Sequence, residues 1–137
     1  MADDPLQTPA LRPHEATEEF WAATAAGRFL LQHDAHKPDR FVFPPRPFLR
    51  QGEKRRSWTE ASGTGVLIAS TLSRVPARGS QGKTPYLVGI VKLDEGPRVF
   101  ATIVNAQAGD IRPGRKMRMA WLDGNGGPRL YAFEPAP

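Results

Sequence analysis

From Trp58 onward the chain alternates short β-type runs with turn signals, and this rhythm constrains its fold more than any other feature. The runs Ser57–Ala61, Gly65–Leu72, Tyr86–Leu93, Val99–Asn105, Lys116–Leu122 and Leu130–Phe133 read as strands, being rich in branched and aromatic residues. Ser62-Gly63, Asp94-Glu95-Gly96-Pro97, Arg112-Pro113-Gly114 and Asp123-Gly124-Asn125-Gly126-Gly127 separate them as turns. Met117, Met119 and Trp121 alternate with Lys116, Arg118 and Ala120, the period of a half-buried strand. Five or six short strands at this spacing suit a small closed barrel of the OB type better than a sandwich.

Upstream of the barrel the pattern changes. Met1 to His14 carry prolines without apolar period and read as an extended arm, disordered or laid across a partner. Thr17 is placed to cap a short helix, with Glu18 and Glu19 favourable in its first turn. Phe20, Trp21 and Thr24 share one side of that helix, and Gly27 suits its C-terminal stop. Arg28 to Gln32 then reads as a strand. The stretch from His33 to Arg56 is loop-rich, interrupted by the aromatic strand Arg40 to Phe43.

Composition closes several classes of chemistry. The 137 residues contain no cysteine, which excludes disulfides, thiolate nucleophiles and cysteine-held metals. An apolar content of 39% supports a modest core, with no run approaching the roughly 20 residues of a membrane helix. The acidic, proline-containing start has no apolar h-region, so a cytoplasmic protein is expected. Nineteen Lys and Arg against 14 Asp and Glu give a net charge of +5, compatible with an anionic ligand or partner.

Between Arg28 and Gly65 an aromatic core, Phe43-Pro44-Pro45-Arg46-Pro47, sits between two polar loops and precedes Glu60-Ala61-Ser62-Gly63-x-Gly65. Pro85-Tyr86-Leu87-Val88-Gly89-Ile90-Val91 and Leu93-Asp94-Glu95-Gly96-Pro97-Arg98 follow in order. Together these segments resemble the bacterial and archaeal family called domain of unknown function 35, which joins a rubredoxin-like zinc ribbon to an OB-fold. The resemblance implies a mainly β chain. Residues 1–16 would form an arm, 17–56 a short helix and a metal-free remnant of the ribbon, and 57–137 the OB-fold. Cys-x-x-Cys pairs flank the Phe-Pro-Pro-Arg core in typical members. Here His33-Asp34-Ala35-His36 and Leu49-Arg50-Gln51-Gly52 stand in their places, and no zinc is expected. Proline rigidity, roughly 0.4–1 kcal/mol per site, is far less than the roughly 10–16 kcal/mol of a structural zinc. The remnant is therefore expected to lean on the barrel or on another subunit.

Family resemblance further implies a non-catalytic accessory subunit of an acyl-CoA enzyme. Its partner would be a thiolase-like, lipid-transfer-type thiolase, aldolase or hydratase subunit, with the coenzyme A thioester as substrate of the complex and no covalently bound cofactor. The basic run Arg46, Arg50, Lys54, Arg55 and Arg56, interleaved with Phe43, Phe48 and Trp58, offers arginines for phosphates and rings for a base. Arg46, Phe48, Arg50, Arg55 and the loop residue Lys83 are the candidate coenzyme A contacts. The plainer account of the rings is that they pack the segment together.

Other motifs fare less well. His33, Asp34 and His36 could supply part of a metal site, but the second loop offers only Glu53 among four positive charges. Gly79-Ser80-Gln81-Gly82-Lys83-Thr84 resembles the end of a P-loop, yet Ala77 stands where glycine is required and a β-run follows instead of a helix. No nucleophile, base and oxyanion site fall together. A nucleic-acid-binding OB module is the alternative, disfavoured because Tyr86 and Phe100 are the few aromatics available on the central strands. A free-standing thioesterase or hydratase would lack a general base in the barrel.

Overall fold

The structure is a computed structural model describing residues 17–34, 37–45, 56–75, 84–122 and 127–137. Helix α1 (Glu18–Ala25) places Phe20, Ala23 and Thr24 on its buried face, at the spacing of neighbours on a helical surface. Its C-terminus closes as the sequence predicts. Gly27 adopts φ +73°, its N–H donates to Thr24 O at 2.9 Å, and Arg28 N–H reaches Ala23 O at 2.9 Å. This is the Schellman arrangement, which favours glycine at the left-handed position. The other end differs. Thr17 makes no side-chain capping hydrogen bond, because its backbone (φ −119°, ψ 11°) is not in the extended conformation of a typical N-cap.

Three antiparallel strands form a small sheet: β1 (Leu30–Asp34), β2 (Lys37–Val42) and β3 (Arg56–Glu60), in the order β2-β1-β3. Leu30, Leu31 and Gln32 are all buried in its central strand. β3 covers the predicted run at residues 57–61 and pairs with β1 from Leu30↔Glu60 to Asp34↔Arg56. It thereby completes the small sheet, and the barrel strands begin at Thr64.

The barrel comprises β4 (Thr64–Ser73), β5 (Tyr86–Leu93), β6 (Arg98–Ile103), β7 (Lys116–Leu122) and β8 (Leu130–Pro135). They close in the order β4-β5-β6-β8-β7, with β6 and β8 parallel and the other pairs antiparallel. That is the five-stranded OB-fold topology. Leu67, Val91, Leu93, Val99, Ala101, Ile103, Met117 and Phe133 line its core. Two glycines make the strand packing possible. A Cβ on Gly65 would lie 2.4 Å from Lys92 O, and one on Gly89 would lie 2.9 Å from Ala69 O. A register shift between Leu67 and Ala69 bulges β4 opposite β5. Among the described residues, no helix is long and apolar enough to cross a membrane.

Candidate functional site

Sheet and barrel meet at a cluster of aromatic rings. Phe20 and Trp21 of α1, Phe29 before β1, Phe43 after β2 and Trp58 of β3 come from the N-terminal part, and Tyr131 of β8 comes from the barrel. Phe20 contacts Trp21, Phe29, Phe43, Trp58 and Tyr131 at centroid distances of 5.0 to 6.4 Å. Phe29 and Phe43 meet Tyr131 in T-shaped contacts at 5.1 and 5.7 Å. Burial pushes the Tyr131 phenol above its ordinary pKa.

A polar link accompanies the rings. The buried Thr24 hydroxyl donates to Trp21 O at 2.6 Å and accepts from the Arg129 N–H at 3.1 Å, tying α1 to the approach of β8. On another side, the sheet-to-barrel linker is held by the β5–β6 hairpin. Ser62 N–H donates to Glu95 Oε2 at 2.7 Å, and Thr64 Oγ1 donates to Asp94 Oδ2. Asp94 N–H returns to Thr64 O at 3.0 Å. The segments 60–65 and 93–98, read as separate signatures in the sequence, are therefore one clasp. Nothing in their local spacing announces that contact.

The sequence-predicted contacts Arg46, Phe48, Arg50, Arg55 and Lys83 lie outside the described residues, as do the arm at 1–16, His36 and Glu53. The rings flanking the basic run are described: Phe43 and Trp58 pack within the aromatic cluster. They serve the junction, in accord with the plainer account of these rings. Thr84 is followed by strand β5, so the P-loop reading has no helix N-terminus to act through.

Zinc, which the ribbon would imply, does not fit the donors present. The chain has no cysteine, and the described residues contain no group of three or more His, Cys, Asp or Glu suited to a metal. His33 instead meets the Phe41 ring edge-on at 5.8 Å. The hydroxyl–carboxylate contacts of Thr64 with Asp94 and of Ser62 with Glu95 belong to the clasp. Ser62 Oγ approaches Glu95 Oε1 only at 3.5 Å, while that carboxylate is engaged by the Ser62 amide. A groove of about 440 Å³ opens at the far end of β5 and β6, lined by Leu72, Tyr86, Thr102, Val104, Asn105 and Gln107 among others.

A family model for the ChsH2 C-terminal OB-fold domain matches residues 58–122. A DUF35 domain-containing scaffold protein of Pyrococcus furiosus is 32% identical over 79 residues, 57% of this chain and 58% of that protein. A Thermomonospora curvata protein named "Probable enoyl-CoA hydratase alpha subunit" is 28% identical over 131 residues, 93% of this chain and 41% of its own length. The chain thus spans less than two thirds of the length of each of these two relatives. A chain in a solved structure described as "Ltp2-ChsH2(DUF35) aldolase" superposes with a TM-score of 0.78 at 25% identity, covering 92% of this chain and 100% of that one. The family-model match to the barrel, the DUF35-named relative and the superposition over 92% of the chain together support a member of the DUF35 family (domain of unknown function 35).

Proposed function

We propose that this chain is a non-catalytic accessory subunit of an acyl-CoA-related enzyme, scaffolding a catalytic subunit that supplies the nucleophile and base. The observation that carries the reading is the superposition over 92% of the chain on a protein described as part of an Ltp2-ChsH2(DUF35) aldolase. Two further facts support it. The hydratase-named relative carries the matching region as 41% of a longer polypeptide. Among the described residues no group of His, Cys, Asp or Glu is suited to a metal, and the hydroxyl–carboxylate contacts of Thr64 with Asp94 and Ser62 with Glu95 belong to the clasp.

More finely, the partner is a thiolase-like, aldolase or hydratase subunit, and the basic run bearing Arg46, Phe48, Arg50 and Arg55, with Lys83, helps hold the coenzyme A end. Fold alone does not license this chemistry, so it rests on the partner. The test is co-purification of the tagged chain from its host at two salt concentrations, with the recovered protein identified by mass spectrometry. A stoichiometric acyl-CoA enzyme at both concentrations is expected, and its absence at both would sink the reading. In the complex, Arg46→Ala and Arg55→Ala are expected to weaken acyl-CoA binding while assembly persists. Purified alone, the chain should hydrolyse no acyl-CoA thioester.

One observation favours a second reading, a nucleic-acid-binding module: Phe100 is 64% exposed on β6 two residues from Arg98. Binding that falls steeply with salt would mark that case.

A further inference from the structure

We infer that the outer face of β4, β5 and β6 is the surface on which this chain docks its catalytic subunit, against an apolar patch bordered by carboxylates. The inference rests on the accessory-subunit reading and adds where contact is made and by what chemistry. Its centre is a contiguous row. The register sets Ala69 beside Ile90 and Ile90 beside Phe100 across three strands. The bulge after Leu67 turns both Ile68 and Ala69 to solvent, so two residues of β4 stand opposite Ile90. Phe100 is 64% exposed, Val66 38% and Ile68 37%. Isolated exposed apolar residues are ordinary, whereas a contiguous set in register marks an interaction surface.

A second row fixes the occupant's charge. Arg98 pairs with Lys92, Lys92 with Val66, and Val66 with Lys116, so three cations lie in register across four strands along one border of the apolar row. All three are exposed, and none forms an ion pair among the described residues. Four of the described carboxylates are engaged elsewhere. Glu60 pairs with Arg28, Glu134 with Arg118, and Asp94 and Glu95 hold Thr64 and Ser62. An apolar centre with an uncompensated cationic rim is the complement of an apolar patch with an acidic rim, the arrangement that steers and orients protein association.

Single-stranded nucleic acid fits the same face less well. Such ligands need successive aromatic platforms with charges tracking the backbone. Here one aromatic lies among aliphatic neighbours, and the charges keep to one border.

The decisive experiment uses the full chain and the catalytic subunit identified with it by co-purification, each purified, with affinity measured at two salt concentrations. Phe100→Glu is expected to weaken binding about 30-fold or more, as loss of a central anchor does. The double variant Lys92→Glu, Arg98→Glu should slow association and remove its salt dependence. Glu19→Lys, on exposed α1 surface, should change neither. Unchanged far-UV dichroism and melting would show that the exposed-site variants fold. Wild-type affinity in Phe100→Glu would overturn this inference and leave the accessory-subunit reading standing. A wild-type chain that binds no catalytic subunit would overturn both. Tight binding of a single-stranded oligothymidine, lost in Phe100→Glu, would reassign the face to nucleic acid.

Discussion

The closed barrel and the three-stranded sheet beside it differ in where each finds its support. Every barrel strand has a ladder neighbour on both sides, and its core is largely aliphatic with Phe133 at its centre. Among the described residues of the small sheet, only β1 is flanked twice, by β2 and β3. A sheet of that size is marginal unless a face is covered, and here the cover is aromatic. Phe20, Phe29 and Phe43 gather around Tyr131, a residue of the barrel, and Trp58 joins them through Phe20. In a chain without cysteine, the small sheet's own rings and one ring from the barrel, Tyr131, supply that cover. The barrel is self-contained, and the small sheet is stable as its annex.

Truncating the hub of the ring cluster is the strongest test of that asymmetry. Phe20 is almost fully buried, and Phe20→Ala should cost about 3–5 kcal/mol by lost burial and cavity formation. In urea, tryptophan emission from Trp21 and Trp58 should change well before the far-UV signal of the barrel. Phe133→Ala, of similar cost, should lower both signals together. A single coincident transition in Phe20→Ala would show one cooperative unit and abolish the distinction. Next in size is Gly65→Ala, at the seam where β4 pairs with both β5 and β7. Its Cβ would meet Lys92 O at 2.4 Å and Val91 Cγ1 at 2.9 Å, and backbone cannot yield as a side chain does. A loss near about 3 kcal/mol is expected, the upper end for overpacking, with hydrogen exchange accelerating in β4 and β5. Gly109→Ala, where nothing lies within 4 Å, should be silent.

Much of the fold was legible because alternation is a local signal. β5 occupies the predicted residues, and Met117 is buried between exposed Lys116 and Arg118 as the period requires. The helix stop at Gly27 was readable too, since a left-handed residue there calls for glycine. What sequence could not show is contact between distant segments. Thr24 and Arg129 are 105 residues apart, and Asp94 reads as a hairpin tip until Thr64 is seen beside it. The bulge at Ile68 was hidden because Thr64 to Ser73 scans as one unbroken strand. Of the candidate site, the roles of Phe43 and Trp58 could be followed into the structure. The basic residues between them lie outside its described part.

Smaller than either truncation is the polar link between the two regions. Thr24→Val keeps the shape of the side chain and removes the oxygen that accepts from Arg129 N–H. Leaving that partly buried amide without its partner should cost about 1–3 kcal/mol. Thr24→Ser should restore most of it. If valine proves neutral in chemical denaturation, the rings alone join sheet to barrel.

The smallest effect belongs to the barrel, where an exposed ionic contact adds to a ladder that is already closed. Glu134 Oε2 accepts from Asn105 Nδ2 at 2.6 Å, and Oε1 accepts from Arg118 Nε at 2.9 Å. The Asn105 hydrogen bond, and then Arg118, hold its carboxyl below the usual carboxylate range. A depressed folded-state pKa means stability that is present above the unfolded value, near about 4.3 for glutamate, and lost as pH falls through the lower folded value. Arg118 is half exposed, so solvent screening keeps the contribution within about 1 kcal/mol. Glu134→Gln should therefore melt slightly below the wild type at neutral pH. Below the folded pKa the two proteins should converge, since the wild-type side chain is then also uncharged. A gap that persists unchanged into acid would mean that the charge contributes nothing, and that backbone pairing and aliphatic packing hold this end of the barrel unaided.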